Sequence, residues 1–218
     1  MAYPTVDKPY GLKPINLYGG TPFAGATRQY RIASAYNTAI FYGDVVEMIN
    51  DGTIIKSAIT TARATVTTSQ VIGVFLGCSY VNAQGQTTFA QYFPANTAAP
   101  TGTYITAYVC NDPNTLFKAV IAAGATPDNA TSGLLPSSTT ELTVIGTNVA
   151  LVQNTGLTTT GDSRVAVASS AVTGTLPMNV VDVVTDTSYV NGSGNIVFPE
   201  VIVRWNFEIH TTTIASGV

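Results

Sequence analysis

Acid–base and nucleophilic chemistry would have to be built from very few side chains here. His210 is the only histidine among 218 residues, so any Ser-His-Asp or Cys-His relay must use it. It falls on the polar side of an alternating terminal segment. No G-x-S-x-G elbow supplies a serine, and Gly192–Ser193–Gly194 reads as a hairpin turn. A surface or interface hydrogen bond is the simpler role for His210. Metal chemistry fares no better: Cys78 and Cys110 lie far apart in apolar surroundings, and no D-x-D-x-D calcium loop is present. The two thiols read as reduced and buried. Asp44, Glu47 and Asp51 sit close together, as do Asp182 and Asp186. Turn and solvent-face roles explain both groups, and neither is a glycosidase pair. Gly161–Asp162–Ser163 reads as a turn before a strand. No P-loop or G-x-G-x-x-G is found. Asn129-Ala-Thr131 and Asn191-Gly-Ser193 fit the glycosylation pattern, which chance produces often in a Thr- and Ser-rich chain. These residues predict no enzyme, no metal and no cofactor, and leave a binding or structural role.

Composition points the same way. Charged residues make up 10% of the chain, against about 25% in ordinary domains. Their place is taken by Thr, Ser, Asn and Ala, so the surface is mostly hydroxyl, amide and methyl. Such a surface repels itself weakly and tolerates packing against other protein. The charge is also uneven. Lys8, Lys13, Arg28 and Arg31 face only Asp7 within residues 1–36, although the whole chain carries −3. A basic start on an acidic body suggests docking on an acidic partner. Four scattered cations make no dense patch for nucleic acid. MAYPTVDKPYG has no apolar h-region, and no apolar run reaches the roughly 18 residues that span a bilayer. The expectation is a chain made in the cytoplasm, with neither nucleic acid nor membrane as partner.

The elements that must carry such a surface are mostly strands. Residues 1–36 read as an extended arm, because Pro4, Pro9, Pro14 and Pro22 remove donors and disfavour helix. Tyr3, Tyr10, Tyr18 and Phe23 recur along it without strand or helix period. From Thr38 "AIFYGDVVEMINDGTIIKSA" predicts an apolar segment, a turn at Gly43–Asp44, a strand, and a hairpin turn at Asp51–Gly52. "QVIGVFLGCSYVNAQGQTTFAQYF" repeats the design around Ala83–Gly85. "GTYITAYVC" alternates through Ile105, Ala107 and Val109, while Leu116–Ile121 fits strand or short helix equally. Residues 124–140 are loop-rich. Leu142, Ile145 and Val149 near helical spacing predict a helix in "ELTVIGTNVALVQ". "PMNVVDVVTDTSY" predicts a strand, Asn191–Gly194 a turn, and "VIVRWNFEI" a half-buried closing strand with Val201, Val203, Trp205, Phe207 and Ile209 inward. The expected fold is mainly β with little helix. An extended N-terminal arm precedes a β-barrel or β-sandwich body, β-tulip or jelly-roll-like. The predicted boundaries are an arm over 1–36, a hairpin barrel over 37–123, and a C-terminal β part over 124–218, with interleaving left open.

Several segments together resemble a known group. "GLKPINLYGGTPFAGATRQYRI" resembles the start of tailed-phage structural cement proteins, often encoded beside the major capsid protein. "FYGDVVEMINDGTI" with "VIGVFLGCSY", and "YVCNDPNTLFKA", are similar to later segments of the same proteins. The resemblance implies a head decoration protein on the virion's outer face, assembled in the host cytoplasm and bound to the major capsid protein. It implies a homotrimer, with a homodimer as the alternative. On this reading the arm clasps the shell: Tyr10, Tyr18, Phe23 and Tyr30 would fill pockets, and Lys8, Lys13, Arg28 and Arg31 would meet carboxylates. Deleting residues 1–31 is then expected to leave a folded body that no longer binds heads. The rival readings are a phage tail or fibre component, and a carbohydrate- or host-binding β module using Tyr104 and Tyr108 if they are exposed.

Overall fold

The computed structural model describes residues 8–60, 69–122, 144–168, 176–184, 187, 189–190 and 196–206. The early chain supplies β1 (Lys13–Leu17), β2 (Arg28–Ile32), β3 (Val45–Ile49) and β4 (Thr53–Lys56). β5 (Ser69–Val81), β6 (Thr87–Ala90), β7 (Ile105–Cys110) and β8 (Thr115–Val120) follow. The later part holds β9 (Asn148–Val149), β10 (Leu151–Val152), β11 (Ala166–Val167), β12 (Met178–Val184), β13 (Tyr189–Val190), β14 (Ile196–Val197) and β15 (Glu200–Trp205).

β3, β4, β2, β7 and β5 close into a five-stranded barrel, because β3 pairs with both β4 and β5. β2 runs parallel to β4, and the other pairs are antiparallel. β5 makes closure possible. Its 13 residues span about 43 Å at roughly 3.3 Å per residue. That length lets its first half pair with β3 and its second half with β6, with β7 on its other edge. Bulges at Val46/Glu47 and Phe75/Gly77 bend the sheet where it must curl. Alternate residues of these strands, among them Ile32, Val46, Ile54, Ile72, Phe75, Ile105, Ala107 and Val109, fill the barrel with Ile40 and Phe93.

A second sheet has the order β1-β8-β15-β12-β9. Its inward face offers Phe117, Ala119, Val201, Val203, Trp205, Met178 and Val180. These pack against Val45, Val74 and Cys110, which lie in register across β3, β5 and β7. Phe117 and Trp205 meet edge to face at 6.0 Å. The expected alternation of the closing strand is seen through Trp205; Phe207, Ile209 and His210 lie outside the described residues.

Two expectations change, and one open reading closes. The helix near Val149 is absent: Gly146 turns the chain at φ 82°, and Asn148–Val149 then pairs with β12. Leu151–Val152 pairs with β11. Local spacing mimicked a helix, and cross-strand hydrogen bonds decided otherwise. Leu116–Ile121 resolves as strand through Val120. The largest change concerns residues 8–36, which are extended yet belong to the body. β1 is an edge strand of the second sheet and β2 lies inside the barrel wall, between β4 and β7. Pro14 is tolerated because β1 has a neighbour on one side only and bulges between Pro14 and Asn16. Strand pairing thus crosses residue 36, and it also crosses residue 123, since β8 pairs with both β1 and β15. Residues 1–7, the 124–140 loop and the Asn191–Gly194 turn lie outside the described residues, apart from the strand ends already named.

Candidate functional site

Two buried carboxylates organise the molecule. Asp44 accepts from the Phe41 amide at 2.9 Å and the Ser163 hydroxyl at 2.6 Å, and pairs with Lys56 at 3.1 Å. Lys56 also reaches the Asn154 carbonyl, and Asn154 donates to the Arg164 carbonyl. This network pins the 154–164 segment to the barrel. Glu200 is 1% exposed and takes hydrogen bonds from Tyr10 and from Thr187, with Lys118 at 3.0 Å. Burial alone pushes the Glu200 carboxyl up, but the bonds from Thr187, Tyr10 and Lys118 outweigh it and hold the group below its ordinary range. Tyr10 is driven the other way, by burial first and then by its bond and proximity to Glu200. Lys13 and Lys118 lie over the Tyr10 ring at 4.7 and 5.6 Å.

Both carboxylates have hydroxyl and cation partners, which is the pattern of structural ion pairs rather than of a poised acid and base. Cys78 and Cys110 are buried and unpaired. Burial pushes the Cys78 thiol up to about 12, a value at which little nucleophilic thiolate exists. Among the described residues no three His, Cys, Asp or Glu side chains come close enough to share a metal ion.

The residues marked as arm contacts divide among three places. Lys8, Tyr10 and Lys13 gather beside the second sheet, where Lys13 also approaches Asp162 at 3.8 Å. Tyr18 is 57% exposed and carries the Arg204 guanidinium 4.7 Å from its ring. Arg28, Tyr30 and Arg31 lie on β2. Tyr10, Phe23 and Tyr30 are engaged by this chain's own body. Tyr10 bonds Glu200, Phe23 packs on the second core, and Tyr30 packs on the barrel core while accepting from Asn111 at 3.0 Å.

The outward face of β2, β7, β5 and β6 is different in character. One row across it reads Arg31, Thr106, Ser79 and Phe89, aligned by strand register. The next row holds Tyr108, whose hydroxyl bonds Ser79 at 3.2 Å. Tyr104 precedes β7 on the same side, with the Arg31 guanidinium 3.9 Å from its ring centre. Phe89 is 74% exposed and Tyr104 61%, the two most exposed large hydrophobic side chains described. No carboxylate faces outward among Gln29, Arg31, Thr106, Tyr108, Ser79, Val81, Thr87 and Phe89.

No known protein family matches this chain, and neither does any curated protein or solved structure. Function must therefore be read from the surface itself. A rigid sheet face with two open aromatic rings, one guanidinium and a row of hydroxyls can bury area against a partner and fix its register by hydrogen bonds. Phe89 escaped the sequence reading, although "TTFA" alternates and Cys78↔Ala90 pairing puts Phe89 outside. Tyr104 was legible, since Ile105, Ala107 and Val109 claim the opposite phase.

Proposed function

We propose that this chain is a non-enzymatic structural protein of a virus particle, a cement subunit that binds the outer face of the major capsid shell. The observation that carries the reading is the exposure of Phe89 and Tyr104 together on one rigid barrel face, with Arg31 stacked on the second ring. Aromatics and arginine are the side chains that anchor interfaces. The 10% charge content supports the same idea, because such a surface packs readily. So does the resemblance of the Gly11–Ile32 segment and the two hairpins to phage cement proteins.

The grip differs in place from a free arm. Residues 13–17 and 28–32 are committed to this chain's own sheets, so shell contact falls to the barrel face, with exposed Arg28 and Tyr18 as further contacts. Trimeric assembly at threefold positions would multiply a modest contact into stable decoration.

The test is co-sedimentation with shells assembled from the major capsid protein of the genome that encodes this chain. Wild type should decorate at near-stoichiometric copy number. Phe89→Ser with Tyr104→Ser should weaken decoration at least about tenfold and leave the melting temperature unchanged. Normal decoration by that double variant overturns the assigned face, and no decoration by wild type overturns the cement reading. Tyr104 and Tyr108 on one strand face also favour a glycan platform. Glycan-array binding without shell binding is its signature.

A further inference from the structure

The residues around Tyr10 form something that this reading does not use. Lys8, Pro9 and Tyr10 make one wall of an open cleft of about 510 Å³, and Leu157, Thr160, Asp162, Ser163 and Arg164 make the other. Both walls are held firmly. Gly11 donates to the Val165 carbonyl at 3.1 Å, Ser163 bonds Asp44, and the 157–162 turn closes on itself through Leu157 to Asp162 and Gly161 to Leu157. A binding site built this way loses little freedom when occupied.

Its charge is lopsided. Asp162 is the one carboxylate among the described lining residues, and it is already approached by Lys13 at 3.8 Å and by Gln91 at 3.2 Å. Lys8 and Arg164 both belong to the lining. The Arg164 guanidinium has no hydrogen-bond or ion-pair partner among the described residues. This cationic spot lies on a chain of net charge −3. Beside it, Leu157 is 37% exposed. An inorganic anion would use the cations and ignore the leucine, and three separated cations make a poor track for nucleic acid. A carboxylate next to an aliphatic group uses both.

We propose that this cleft is a receptor for an acidic, aliphatic peptide segment. A Glu or Asp carboxylate sits against Arg164, taking charge-assisted hydrogen bonds from the guanidinium. The neighbouring Leu, Ile or Val of the same segment lies against Leu157. The site is continuous with the barrel face, since Gln91, bonded to the cleft wall, follows β6 by one residue. One extended segment can therefore run from the cleft toward Phe89.

The probe is a fluorescein-labelled hexapeptide of alternating glutamate and leucine, titrated into the full chain and read by anisotropy. It should bind, and a lysine–leucine hexapeptide should not. A glutamate–serine hexapeptide should bind at least about fivefold more weakly. Arg164→Gln should weaken the glutamate–leucine peptide about tenfold or more, and Leu157→Ser about fivefold, both with unchanged thermal melts. Lys8→Gln is a second charge variant. No binding up to about 1 mM, wild-type binding by both charge variants, equal affinity for the serine peptide, or tighter binding of a short oligothymidylate would each overturn the proposal. No shell is present in the titration, so its failure and the failure of decoration are separate results.

Discussion

Glu200 shows how a single polar residue can be read wrongly from sequence and rightly from its neighbours. In "VFPEVIVRW" it lies on the polar phase of an alternating strand, which predicts a solvated carboxylate. Instead Tyr10 and Thr187 fold over that end of the sheet and bury it with Lys118. Its folded value lies below the ordinary 4.5, so the stability it contributes is fully present above that pH. It is lost as pH falls through the folded value. Tyr10 has the opposite sign: its value is raised above the ordinary 10.0, so its contribution holds below pH 10 and fades as pH rises further. The denaturant midpoint should fall on acidification from about pH 6 to about pH 3, and Glu200→Gln should flatten that fall. At neutral pH the same substitution should cost about 1–3 kcal/mol by leaving hydroxyl and ammonium partners poorly matched. A Glu200→Gln chain with wild-type acid sensitivity would remove the residue from this role.

At the scale of elements, the hairpins were visible because their turn chemistry is local. Asp51–Gly52 turns β3 into β4, with Asp51 accepting from the Thr53 amide at 2.8 Å and Gly52 at φ 80°. Asn82–Gln86 does the same between β5 and β6. Barrel closure was invisible, because β3–β5 and β2–β4 pairing joins segments whose local patterns say nothing about each other. Gly73 marks the place where closure depends on one residue. It has φ 153°, and a Cβ there would lie 2.1 Å from the Cys110 carbonyl oxygen. Gly73→Ala should therefore force β5 away from β7 and cost more than about 3 kcal/mol, or prevent folding. A chemical denaturation curve decides this, and a loss below about 1 kcal/mol would show that the strands can part there without harm. The helix expected near Val149 failed for the related reason that a short apolar spacing is ambiguous until a partner strand claims it.

At the scale of the whole molecule, residues 11–32 hold two sheets together rather than trailing from them. Leu12 lies in the second core, its amide bonds the Gly43 carbonyl, and β1 and β2 belong to different sheets. Removing residues 1–31 takes away β1 and most of β2, opening the barrel between β4 and β7. That truncation should be unfolded or aggregated by circular dichroism and gel filtration. A well-folded chain lacking residues 1–31 would mean that the barrel closes without β2.

Composition, turn dipeptides and strict alternation determined by themselves that this chain is β-rich and that its hairpins fall where they do. Those are local properties, carried by φ preference and by the two-residue period of a strand. Tertiary structure alone decided that residues 11–32 belong to the body, that Tyr10 and Glu200 meet across 190 positions, and that Phe89 and Tyr104 share an open face. Each of these depends on which strands become neighbours, and that choice is made by burying the whole set of apolar faces at once.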